Sequence, residues 1–274
     1  KNTQATAAAW LACGFDTDAG YFYRQSDIPE VTELTWYLTC FFKYNRLKLA
    51  HSFKDKAEKF GEETVSAGLF FYPMLMAADI LLYDAEIVPV GKDQKQHLEI
   101  TRDVAQKLNL QYGEDTLILP EAQIDEDVKT IIGTTKDEHG NFQKMSKSYG
   151  NTINIFETDK RLRKTIMRIQ TDSAEPQEPK DPDKNIVYHL NKHVATAEQL
   201  AERREGLEKG GPGYGTIKQW LYEAIVERGG EARERYAALQ SHPEEVEAAL
   251  AHGAEKARQV ATVTLARVRE RLGY

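Results

Sequence analysis

Ile87-Val88-Pro89-Val90-Gly91-Lys92-Asp93-Gln94-Lys95-Gln96-His97-Leu98-Glu99 is the stretch on which the fold turns. Three of its first four residues are β-branched and a glycine follows, which predicts a short strand ending at a tight turn. From about Asp93 the residues become polar and helix-forming, so a helix is expected to begin there. Strand, turn and helix in succession form the repeating unit of α/β domains with parallel sheets. Leu117 to Leu119 and Lys129 to Thr134 read as two further strands, which carries the α/β region to about Ser148. In such sheets ligands bind at the carboxyl ends of the strands, where a helix N-terminus favours anions and polar sugar groups. Gly91 would let the backbone approach a nucleotide closely, Asp93 could accept from ribose hydroxyls, and Gln94 could both donate and accept. Asp93 could equally be a plain N-cap on a polar helix.

Outward from that unit, Thr3 to Cys13 reads as a helix stopped by Gly14, Tyr23 to Asp27 as a short strand, and Val31 to Phe42 as a helix. Glu62 to Tyr83 is nearly continuous helix former, expected to break at Pro73. Beyond Phe156 only helices are expected: about Glu157 to Gln170, Asn185 to Val194, Ala197 to Leu207, Thr216 to Glu227, Glu231 to Leu239 and Pro243 to Leu272. The acidic, proline-rich link Asp172 to Lys184 should be an exposed loop, and Gly210 to Gly215 an interhelical turn. The chain is thus expected to divide into an α/β domain over residues 1–155 and an all-helical region over 156–274.

The chain has 274 residues, 41% hydrophobic and 29% charged, enough apolar material for a sizeable core. No run approaches the roughly 20 apolar residues of a membrane span, and no signal peptide is visible, so a cytoplasmic location is the default expectation. Cys13 and Cys40 lie far apart and outside any metal-ligand spacing, which speaks against a disulfide framework or a zinc module; both are read as small buried residues. The formal net charge of −7 argues against coating nucleic acid by bulk electrostatics, while a local basic face stays open. One candidate face is Asp159-Lys160-Arg161-Leu162-Arg163-Lys164 with Arg168, which could meet RNA phosphates or simply be solvated.

The most chemically pointed run is Lys144-Met145-Ser146-Lys147-Ser148, placed between Gly140 and Gly150 in a hydrophilic stretch expected to be a flexible loop. Two ammonium groups could neutralise β- and γ-phosphate oxygens as a transition state forms at the α-phosphorus, and two hydroxyls could donate hydrogen bonds. A solvated basic loop is the plainer alternative.

Taken together, Tyr72 to Tyr83 (YPMLMAADILLY), Val88 to Glu99 (VPVGKDQKQHLE) and the KMSKS run resemble, in this order and spacing, the bacterial tryptophanyl-tRNA synthetases of class I. Gln25 to Glu30 and Ser52 to Lys56 look like the same family, and the resemblance covers essentially the whole chain. It implies a Rossmann-type catalytic domain with a parallel sheet and a C-terminal helical region that recognises the anticodon. It implies ATP and L-tryptophan as substrates, Mg²⁺ carried by the ATP phosphates, tRNA(Trp) as acceptor and a homodimer. Lys144, Met145, Ser146, Lys147 and Ser148, with Gly91, Asp93 and Gln94, would bind ATP; Lys144, Ser146, Lys147 and Lys56 would act in catalysis, Lys56 reaching the α-phosphate side.

Indole N–H donates and cannot accept, so a tryptophan pocket needs one acceptor in an apolar box. Asp79 is the candidate, three residues after Met76 and seven after Tyr72, a spacing that shares one helical face. Otherwise Asp79 points outward or caps a neighbour. Val88 and Val90 would line the indole plane, and Tyr72 and Gln94 would orient the amino and carboxylate groups. Class I synthetases also carry a HIGH signature, absent here; the resemblance implies that it lies upstream of Lys1 and that the chain is incomplete. Tyrosyl-tRNA synthetase, and a non-catalytic paralogue that senses tryptophan or binds RNA, are the rival expectations.

Overall fold

The computed structural model of the chain describes residues 2–48, 61, 63, 65–124 and 131–274. The chain folds as two compact units, each made of two segments: a sheet unit, 16–128 with 247–274, and a hairpin unit, 1–15 with 129–246.

In the sheet unit, helices α2 (Glu30–Phe41), α3 (Tyr44–Leu47) and α4 (Ala67–Leu81) precede strand β1 (Ile87–Val90), helix α5 (Lys95–Tyr112) and strand β2 (Glu121–Ile124). Strands β1 and β2 run parallel, with Ile87 opposite Glu121 and Val90 opposite Ile124. Parallel neighbours require a crossover, and α5 supplies it. The expected β-turn-α reading therefore holds at its centre, within a fold of mixed α/β class. The core is built by helices with apolar residues at spacings of three and four: Val31, Leu34 and Leu38 of α2; Met74, Ala77, Ala78 and Leu81 of α4; Val104, Ala105 and Leu108 of α5.

The last helix, α10, spans Pro243–Leu272 and contributes Ala254, Ala257, Ala261, Leu265 and Val268 to the same core. Its outward cations are matched one by one: Arg258 with Glu30 at 2.7 Å, Arg267 with Asp84 and Arg269 with Glu33 at 2.5 Å, Arg271 with Asp115 at 2.8 Å. Lys256 Nζ donates to the carbonyls of Thr17, Asp18 and Gly20. The pairs of Arg267, Arg269 and Arg271 are partly exposed on both sides, and pairs of that kind contribute about 0–1 kcal/mol each, whereas the Glu30 carboxylate paired with Arg258 is buried. The pairs fix where the helix sits while apolar burial supplies most of its attachment.

The hairpin unit holds α1 (Asn2–Ala12), the antiparallel strands β3 (Ile132–Lys136) and β4 (Phe142–Lys144), and helices α6 (Asp159–Met167), α7 (Ile186–Asn191), α8 (Ala197–Lys209) and α9 (Tyr214–Ser241). Leu162, Ile166, Val187, Leu190, Leu207, Leu221 and Ile225 form its core. Helix α9 packs against α1, α6 and α7.

Several local expectations are corrected. Tyr23 to Asp27 is no strand: Arg24 Nε bonds Asp27 Oδ2 at 3.0 Å and folds Gln25–Asp27 into a 3-10 turn. Leu117 to Leu119 is no strand either, because the Asn109 side chain takes both backbone groups of Leu117, at 2.8 and 2.9 Å, and leaves none for a ladder. The third strand starts at Ile132; Lys129 and Thr130 lie outside the described residues. Helix α4 passes through Pro73 unbroken, since one lost hydrogen bond is outweighed by the burial of Met74, Ala77, Ala78 and Leu81. Helix α9 likewise runs through Gly229 and Gly230, joining two expected helices into one of 28 residues. Cys13 and Cys40 are exposed, the first beyond the end of α1 and the second off the inward stripe of α2. In the link 172–184, Lys180 is buried, its Nζ donating to the carbonyls of Glu175, Pro176 and Glu178.

Candidate functional site

Helix α4 has two stripes. Met74, Ala77, Ala78 and Leu81 face the core, while Tyr72, Met76 and Asp79, continued by Tyr83 in the turn just past the helix, form a second, half-buried row at spacings of four, three and four. The shared face expected for Tyr72, Met76 and Asp79 is thus present. Asp79 neither points outward nor caps a neighbouring element: its Oδ2 accepts a hydrogen bond of 2.6 Å from Gln25 Nε2. Burial raises its pKa above the ordinary carboxylate value, with the Gln25 bond opposing the shift. The rings of Tyr23 and Tyr83 lie 5.7 Å apart beside it, and the field of Asp79 adds to the upward shift that burial gives both phenols.

Along β1 exposure alternates, Val88 and Val90 half-buried and Ile87 and Pro89 exposed, which puts the two valines on one side as a strand must. A 3-10 turn over Lys92–Gln94 then leads into α5, with the Gln94 N–H bonded to the Gly91 carbonyl at 2.9 Å. Gly91 is extended, φ −69°, so its backbone makes no special demand for glycine. Gln94 is half-buried; the side chain of Asp93 lies outside what is described. Tyr72 Oη and His97 Nε2 are 2.5 Å apart, tying α4 to the first turn of α5. Gln25, Tyr23, Tyr83 and His97 stood inside recognisable stretches, but spacing alone gave them no task because their partners lie on other elements.

In the hairpin unit, Lys144 ends β4 opposite Ile132, exposed. Met145 turns inward, its N–H bonded to the Ile131 carbonyl at 2.9 Å and its side chain on the core. Ser146 caps the 3-10 turn Lys147–Tyr149, its Oγ accepting from the Ser148 N–H at 3.3 Å and lying 2.8 Å from Ser148 Oγ. Gly140 (φ +79°) and Gly150 (φ +63°) both take the left-handed conformation that side chains resist. The segment expected to be a loose loop is therefore a strand end and a capped turn. It presents Lys144, Lys147 and Ser148 outward. Asn151, which no spacing argument singled out, is wholly buried beneath it.

Helix α6 buries Leu162 and Ile166 and exposes Lys160, Arg161, Arg163 and Lys164, a one-sided basic face. Gly210 to Gly213 joins α8 to α9 as an interhelical turn, and Tyr214 and Gly215, expected in the same turn, already belong to α9. Lys56 lies outside the described residues. No helix among the described residues is long and apolar enough to cross a membrane.

A parallel β-turn-α unit with a half-buried carboxylate row, carried in one chain with a lysine-serine turn, is the equipment of class I aminoacyl-tRNA synthetases. The family model of tRNA synthetases class I (W and Y) matches residues 1–238, and the chain belongs to that family. It is 46% identical to the tryptophan–tRNA ligase of Pseudomonas aeruginosa over 97% of its own length, spanning 60% of that relative. It is 42% identical to the tryptophan–tRNA ligase of Neisseria meningitidis, covering 100% of this chain and 81% of that one. The solved tryptophanyl-tRNA synthetase of Campylobacter jejuni, complexed with ADP and tryptophan, superposes with a TM-score of 0.90 at 43% identity, over 100% of this chain and 83% of that chain.

Proposed function

We propose that the protein activates L-tryptophan with ATP, forming tryptophanyl-adenylate and pyrophosphate, and transfers the tryptophanyl group to tRNA(Trp). One observation carries this reading: the only charge on the half-buried α4 row is Asp79, aimed at Gln25 and flanked by Met76 and aromatic rings. A carboxylate there answers a donor-only indole N–H, and a tyrosine hydroxyl makes no such one-way demand. Val88 and Val90 would bound the indole, Tyr72 and Gln94 would orient the amino and carboxylate groups, and Gly91 with Asp93 would lie against the nucleotide.

The tryptophan carboxylate attacks the α-phosphorus in line while pyrophosphate leaves. Lys144 and Lys147 neutralise the charge that gathers on the departing oxygens, and Ser146 and Ser148 donate hydrogen bonds to them; Lys56 serves the α-phosphate side. The turn offers ammonium and hydroxyl groups and no carboxylate, a donor set for phosphate oxygens. Mg²⁺ is accordingly assigned to the phosphates of ATP, where it would add further positive charge. Recognition of the anticodon by helices within 156–274, a homodimer and work in the cytoplasm complete the reading. The relatives' names and the Campylobacter protein's ligands support it.

The test is amino-acid-dependent pyrophosphate exchange with the intact protein. Exchange driven by tryptophan and not by tyrosine is expected; exchange driven by tyrosine alone overturns the reading.

A further inference from the structure

In extended backbone the C=O of one residue and the N–H two residues on point to the same side. Across Met145 those two groups are the Lys144 carbonyl and the Ser146 N–H, and the Asn151 amide takes both. Its Nδ2 donates to the carbonyl at 3.1 Å, and its Oδ1 accepts from the N–H at 2.8 Å. The side chain thus stands where a neighbouring strand would. Its own carbonyl accepts from the Thr134 N–H at 2.9 Å, which roots it in β3. The residue is 0% exposed. Gly133 makes the room: a Cβ there would collide with the Asn151 amide nitrogen, oxygen and carbon. The Gly133 backbone has no left-handed φ, so Asn151, and not chain geometry, is what demands glycine.

We propose that Asn151, seated in the space Gly133 leaves, is a positioning residue for ATP activation. It holds the backbone on either side of Met145 so that Lys144 and Ser146 meet the phosphates already aligned. The inference rests on the reading that this turn serves ATP. Donors fixed before reaction need no reorganisation during it, so loosening them lowers kcat and leaves tryptophan binding alone.

Asn151→Ala and Gly133→Ala in the intact protein test this by two readouts: tryptophan-dependent pyrophosphate exchange, and trypsin cleavage after Lys144 and Lys147 followed by mass spectrometry. Expected for both variants is a loss in kcat of about tenfold or more, KM for tryptophan within about twofold, and cleavage faster by about tenfold at unchanged circular dichroism. Folded variants with the parent's kcat and cleavage rates overturn the proposal, as does a loss shared equally by kcat and KM for tryptophan. If the parent itself shows no exchange with tryptophan, the functional reading fails. Cleavage then still decides, faster cutting supporting the anchoring by Asn151 and unchanged cutting refuting it. Should Asn151→Ala fail to fold, Gly133→Ala decides, since it deletes no hydrogen-bonding group.

Discussion

Gln25 donates to Asp79 across 54 residues of sequence, at 2.6 Å. The bond occupies one lone pair of a carboxylate that can accept several, so Asp79 is held in place while still open to another donor. Burial disfavours its charge, which is the condition under which a ligand's N–H is most valued.

Asp79→Asn should separate binding from stability. The indole N–H loses a charge-assisted acceptor, and tryptophan affinity should fall roughly tenfold to a hundredfold, measured by equilibrium dialysis. Because the folded pKa is raised, Asp79 favours the fold below its usual value of 3.8, and that contribution is lost as pH rises through the folded pKa. The variant should therefore melt higher than the parent at pH 7 and show no gain in strong acid. Equal affinity in both proteins removes Asp79 from the pocket.

Lys147→Ala should lower the kcat of tryptophan-dependent exchange by roughly a hundredfold or more. The side chain is exposed, so Tm should stay within about a degree of the parent. Unchanged exchange would return the turn to the status of a solvated basic loop.

Glycines in the two longest helices should respond with opposite signs. A Cβ on Gly230 meets open space and one on Gly229 only an ordinary contact with Arg233, so Gly→Ala at either should stabilise by about 0.5–1 kcal/mol. Gly253→Ala drives a Cβ into the Phe22 carbonyl, which cannot swing aside, and should lower Tm by several degrees. Thermal melts in parallel decide between these directions.

Arg233 of α9 donates to the carbonyls of Ile155 and Glu157, and pairs with Asp159 at 2.5 Å, with its side chain 14% exposed. Arg233→Ala leaves two carbonyls short of a donor and should cost about 2 kcal/mol, a Tm drop of roughly 5 °C. A drop below about one degree would show that water replaces the guanidinium at no cost.

Much of the architecture was legible because it follows from periodicity. Helix α10 matches its expected span at both ends, Pro243 opening it and Gly273 following its last turn. The strand at Ile87–Val90 was equally plain. Failures came where a side-chain contact overrode local propensity, as Asn109 does by taking the backbone groups of Leu117 and Arg24 by pairing with the Asp27 carboxylate across its turn. The site divides the same way. Tyr72, Met76 and Asp79 could be placed on one face by counting, but Gln25, His97 and Asn151 act through partners that counting cannot supply.

The apolar row of α10 closes a core whose other walls are α2, α4 and α5, and residues 129–246 lie between them in the chain. A ribosome adding roughly 5–20 residues per second makes that intervening stretch over something like ten seconds. Throughout that interval Leu34, Leu38, Met74, Leu81 and Leu108 have no Ala257 or Leu265 to cover them. The unit that carries Asp79 is completed only after the intervening residues 129–246 have been made. A chain stalled before Glu247 would present those faces to its neighbours, a sticky fragment for chaperones and proteases to meet.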